Sequence, residues 1–157
     1  MASAKGIEAA NTIRVSDMEK MSVDQLRVLK EQSDLEVNLL QDSLNKIRTA
    51  ATRLEIASTA LHDLSLHPQG KKMLVPLTAS LYVPGILDDA KKVLVDVGTG
   101  YFIEKTMAEG KDYCERKINL LKSNFEELVE MTSKKKSVAD DLGLILHAKL
   151  RQSSPSS

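Results

Sequence analysis

MLVPLTASLYVPGILDDAKKVLVDVGTGYFIEKT, residues 73–106, lies between two long polar stretches that read as helix, and its reading decides the fold. It contains two pairs of short β-branched runs: LVPLT with LYVPG, then KKVLVDVG with YFIEK. In the second pair Val93, Val95 and Val97 alternate with Leu94 and Asp96, and Tyr101 and Ile103 alternate with Phe102 and Glu104. A period of two is the pattern of a strand. Gly98, Thr99 and Gly100 supply a short turn, because glycine reaches positive φ without steric cost. The first pair turns at Thr78, Ala79 and Ser80. Pro76 and Pro84 cannot donate ladder hydrogen bonds and belong at strand ends, edges or bulges. The expectation is two β-hairpins inserted between helices.

Working outward, SVDQ at Ser22 to Gln25 is a capping box that starts a helix. No proline or glycine follows before Pro68 and Gly70, so this helix is expected over 22–66. Steps of four and three give Leu26, Lys30, Ser33, Val37, Leu40, Leu44, Ile47, Ala51, Leu54, Ser58 and Leu61, a heptad seam with polar and small interruptions. A second helix is expected over 107–150, with a seam at Cys114, Ile118, Leu121, Phe125, Leu128, Thr132, Lys135, Ala139, Leu142 and Leu146. Lys135 in that seam predicts local loosening. Each helix spans roughly 65 Å at the usual rise. Equal lengths and a short β insert favour antiparallel pairing. The fold class is thus α+β: a long antiparallel two-helix coiled coil with two hairpins between the helices. Residues 1–21 are expected to be a disordered extension and 151–157 a disordered tail.

Composition agrees with a thin architecture. The chain has 157 residues, 42% hydrophobic and 28% charged, but no Trp, three Tyr and two Phe, too few large rings for a thick core. Formal net charge is zero, which gives no global attraction to nucleic acid or anionic membrane. A single cysteine, Cys114, excludes an internal disulfide and fits a reducing compartment. The first residues carry no basic segment followed by an apolar run, and no apolar stretch approaches the ~20 residues of a membrane span. The expected location is cytoplasmic, and a nuclear pool is compatible with the same features.

Four strands make too small a sheet to bury both faces, and their edges would carry unpaired backbone groups. Partner hairpins that complete a shared β-barrel would solve this. The assembly residues on this reading are Leu74, Val75, Leu77, Leu81, Val83, Val93, Val95, Val97, Tyr101 and Ile103. At the other helix ends, Val23, Leu26, Val28 and Leu29 face Leu142, Leu144, Ile145, Leu146 and Leu150, more apolar residues than one seam hides. Simple end-packing competes there with an exposed apolar tip that binds other proteins. The candidate contact residues of such a tip are Val23, Leu26, Leu29, Leu142, Ile145 and Leu146.

Chemical motifs are weak. VLVDVGTGY looks like the first motif of class I methyltransferases, but that fold needs a helix after the glycines, where this chain has YFIEK. His62, His67 and His147 lack zinc-ligand spacing and read as exposed helix residues. Cys114 reads as a small buried apolar group. Asp88 with Asp89, Glu126 with Glu127, and Asp140 with Asp141 read as solvated charge. Lys134, Lys135 and Lys136 form a run too short for a nucleic-acid patch. No nucleotide loop of the form G-x-x-x-x-G-K-[ST] is present. No catalytic residue, metal site or cofactor is expected.

Helix, two hairpins, helix resembles the prefoldin family, and its α class in particular, since β-class subunits carry one hairpin. KKMLVPLTASLYVPG, LDDAKKVLVDVGTGYFIEKT and AEGKDYCERKINLL carry the likeness, which covers about residues 22–150. The resemblance implies an ATP-independent co-chaperone: a heterohexamer of two α-class and four β-class subunits with a double β-barrel platform and projecting coiled coils. It implies holding of unfolded or nascent actin and tubulin at the coiled-coil tips and delivery to the cytosolic group II chaperonin. The competing reading is a coiled-coil adaptor or scaffold, oligomerised through the hairpins and binding one folded partner.

Overall fold

A computed structural model describes residues 13–67 and 69–154. The order is α1 (Val15–Glu19), α2 (Val23–Ser65), β1 (Lys72–Pro76), β2 (Tyr82–Ile86), β3 (Lys92–Gly98), β4 (Tyr101–Thr106) and α3 (Met107–Ser153). They fall into two compact units. One takes the chain up to Lys46 and from Phe125 onward; the other runs from Ile47 to Asn124.

The capping box forms as the sequence requires. Gln25 N–H donates to Ser22 Oγ at 3.2 Å, and Ser22 N–H donates to Gln25 Oε1 at 3.0 Å. Such a cap contributes about 1 kcal/mol. A second cap, at Thr106 and Glu109, starts α3: Glu109 N–H donates to Thr106 Oγ1 at 3.2 Å, and the Thr106 hydroxyl donates to Glu109 Oε1 at 3.0 Å. α2 has 43 residues and α3 has 47, about 64 and 70 Å of helix.

Every seam position named above, from Leu26 to Leu61 and from Cys114 to Leu146, is buried or half-buried. The polar interruptions are satisfied rather than stranded. Thr132, a buried seam residue, donates its hydroxyl to the Leu128 carbonyl at 2.7 Å. Lys135 does not simply loosen the seam: its Nζ reaches Glu36 Oε2 at 3.0 Å. Within the first unit this contact runs from α3 to α2. Within the second, Lys111 Nζ donates to Ser65 Oγ at 3.3 Å, again from α3 to α2. A half-exposed pair such as Lys135 with Glu36 adds at most about 1 kcal/mol and is compatible with the register that the apolar seam sets.

Each sheet has two antiparallel strands. β1 and β2 pair from Lys72 with Ile86 to Pro76 with Tyr82. Their turn is held by Thr78 Oγ1, which accepts from Leu81 N–H at 3.0 Å, and by Leu77 N–H donating to the Leu81 carbonyl at 2.8 Å. β3 and β4 pair from Lys92 with Thr106 to Gly98 with Tyr101, with a register shift between Asp96 and Gly98. Gly98, Thr99 and Gly100 have φ of 113°, 52° and 79°. Two successive positive φ values at Thr99 and Gly100 suit a two-residue hairpin turn, although a β-branched residue is strained there.

The N-terminal expectation needs correction. Residues 1–12, like 155–157 at the other end, lie outside the described residues, but 13–21 are structured and include α1. Met18 on α1 is 1% exposed and packs with Leu26 and Leu142, both 0% exposed. Ile13, Met21, Leu29, Val138, Ile145 and Leu146 surround this cluster. α3 likewise continues to Ser153, beyond the expected 150. The cause is tertiary: a segment too short to be helical alone is ordered by burying a methionine.

Candidate functional site

Strand registers define two faces on each hairpin. In the first, Lys72, Leu74 and Pro76 share a face with Ile86, Pro84 and Tyr82, and Met73 and Val75 share the other with Gly85 and Val83. Leu74 is 67% exposed and Ile86 65%. Val75, Leu77, Leu81, Tyr82 and Val83 are also exposed.

In the second hairpin, Val93 and Val95 oppose Lys105 and Ile103, while Leu94 and Asp96 oppose Glu104 and Phe102. The first of these faces lies against the start of α3. A Cβ placed on Gly110 would stand 2.9 Å from Val93 Cγ2 and 3.5 Å from Leu61 Cδ1, so only glycine permits this approach without displacement. Val93 and Val95 are accordingly half-buried within the chain. Val97, Tyr101 and Ile103 remain exposed. The opposite face carries Leu94, 70% exposed, and Phe102, 61% exposed. Neither was among the expected assembly residues. Alternation reveals two faces but does not say which is inward when both carry apolar groups.

These sheets have open backbone edges on every strand, since each contains only two strands. Together with the exposed leucine, isoleucine and aromatic side chains they form the type of surface that another chain covers.

The six candidate tip residues divide differently. Leu26 and Leu142 have no exposed surface, and Val23, Leu29, Ile145 and Leu146 are half-buried. A side chain with no exposed surface meets another protein only if the unit opens, so Leu26 and Leu142 are core residues in this conformation. The exposed apolar side chains of the same helix ends are Val28 and Leu144.

The enzyme-like motif is part of a hairpin. Asp96 Oδ1 accepts from Gly98 N–H at 2.9 Å, bracing the turn, and the glycines lead into β4, which returns along β3. Cys114 is buried, and burial pushes its thiol pKa up, away from the thiolate that a nucleophile needs. Lys134 pairs with Glu130 at 3.0 Å and Lys135 with Glu36, so two charges of the lysine run have carboxylate partners. Among the described residues no His, Cys, Asp and Glu cluster is placed to hold a metal ion, and no helix is long and apolar enough to cross a membrane.

Comparison with known proteins adds the relationship. The family model described as Prefoldin subunit matches residues 33–152. The chain is 74% identical over 136 residues to prefoldin subunit 5 of Arabidopsis thaliana, covering 87% of this chain and 90% of that protein. It is 36% identical over 143 residues to prefoldin subunit 5 of Homo sapiens, covering 91% of each. In fold it is similar to a chain in the cryo-EM structure of filamentous PFD from Methanocaldococcus jannaschii, with a TM-score of 0.64, 21% identity, and coverage of 72% of this chain and 93% of that one. Two hairpins between long helices, a matched family model and these relatives place the chain in the prefoldin family, as an α-class subunit most similar to those called subunit 5.

Proposed function

We propose that this chain serves as an α-class subunit of a heterohexamer with one further α-class and four β-class subunits, holding unfolded proteins without ATP and passing them to the cytosolic group II chaperonin. Its role as a prefoldin co-chaperone subunit follows from family membership. The observation that carries the assembly step is the pair of hairpins whose outer faces leave Leu74, Ile86, Leu94 and Phe102 largely exposed. Partner hairpins of the same construction would cover those faces and pair the open strand edges.

Holding requires no bond to be made or broken. Weak apolar contacts at several helix ends suffice, because linked sites act at high effective concentration. Non-native actin and tubulin are the proposed clients and the cytoplasm the proposed location. No enzymatic step is assigned to any residue.

The test is suppression of aggregation. The assembled complex, mixed with actin diluted from denaturant in the absence of nucleotide, is expected to keep actin soluble and release it when chaperonin is added. Aggregation at the rate seen without the complex would contradict the reading. Binding of one folded protein, with no effect on denatured ones, would favour the adaptor instead.

A further inference from the structure

The apolar cluster at the helix ends is closed by a segment that has little stability of its own. α1 has five residues, its N-cap position is Arg14, and no side chain caps it. Helices of this length do not persist in water without tertiary packing. Its hold comes from Met18, fully buried, with Ile13 and Met21 packed alongside, and from Lys149 Nζ of α3, which donates to the Met21 carbonyl.

Those three apolar side chains lie within the nine residues 13–21: Met18 on the short helix, Ile13 just before it and Met21 in the turn that joins it to α2. This is what an unfolded polypeptide offers: a few apolar groups, two of them methionines whose flexible thioethers fit irregular gaps. They share one cluster with Leu26 and Leu142, against which Leu29, Ile145 and Leu146 also pack, and these are five of the six residues that the sequence marks as a contact surface.

We infer that residues 13–21 occupy the client surface in cis, as a strap that must lift before a client docks. The inference rests on the proposed holding function. Lifting is a local opening that leaves α2 and α3 paired, and it costs less than global unfolding because it releases one short segment alone. A client and the strap compete for the same leucines, so the apparent affinity equals the intrinsic affinity scaled by the fraction of open straps. The strap also keeps an apolar patch out of water when no client is bound.

The test uses the full complex containing Met18→Ser or Lys149→Gln in this chain. The second variant loosens the strap without touching the apolar cluster. Reduced, carboxymethylated lactalbumin serves as a permanently unfolded probe. Both variants should tighten its binding about three- to tenfold and speed amide hydrogen exchange in 23–30 and 138–146, with hexamer mass and helix content unchanged. Unchanged or weaker binding by intact variant complexes would overturn the strap as a gate. If exchange rises without tighter binding, the surface is covered but is not where the probe docks. If neither changes while the wild-type complex binds the probe, the strap falls and the holding function stands. A wild-type complex that ignores the probe would remove both.

Discussion

Leu94 and Leu142 are the same residue type in one chain, yet one is 70% exposed and the other not at all. In the helix-end unit the chain closes its own apolar surface by folding α1 over α2 and α3. In the hairpin unit it leaves comparable side chains uncovered on sheets with open edges. The contrast teaches that burial within one chain is not the criterion for a completed structure here. The helix ends are finished by the chain itself, whereas on the proposed function the hairpins are left for other chains to finish.

The most severe way to break this contrast is to charge the uncovered face. Leu94→Asp with Phe102→Asp should abolish co-purification of partner subunits while the isolated chain keeps its helical circular dichroism, since neither side chain is packed within the chain. Val95→Asp, on the half-buried face, should lose the hairpin as well as the partners. The helix-end unit should respond in the opposite sense. Leu142→Ala is expected to cost about 2–5 kcal/mol through the cavity it leaves. Hydrogen exchange should therefore rise throughout 13–46 and 125–154, while the assembly is retained.

Two smaller changes sharpen the account of the hairpins. Gly110→Ala forces Val93 away from α3 and should cost about 1–3 kcal/mol, seen as a lower midpoint of thermal unfolding. Thr99→Asn relieves a β-branched residue at φ 52° and should stabilise the second hairpin by up to about 1 kcal/mol, seen as slower exchange of the Tyr101 to Ile103 amides.

Much of this fold was legible because the relevant signals are local. The seam from Leu26 to Leu61 follows from spacing, the start of α2 from Ser22 and Gln25, and the second turn from two glycines flanking Thr99. What escaped was tertiary. Nothing in the local pattern distinguishes Met18 from a residue of a frayed end, because its helix exists only against Leu26 and Leu142. The inward face of the second hairpin is likewise set by Gly110, more than ten residues along the chain, and not by the alternation of the valines. The Thr106 and Glu109 cap was readable as T-x-x-E and marks the start of α3. Leu26 and Leu142 were named as contact residues for their apolarity, the same property that draws them into the core.

Native mass spectrometry of the complex isolated from cells through this chain tests the central claim most directly. The account predicts a heterohexamer with two α-class chains, one of them this protein, and no abundant free monomer. A stable monomer at low micromolar concentration, or a homo-oligomer without other subunits, would contradict it.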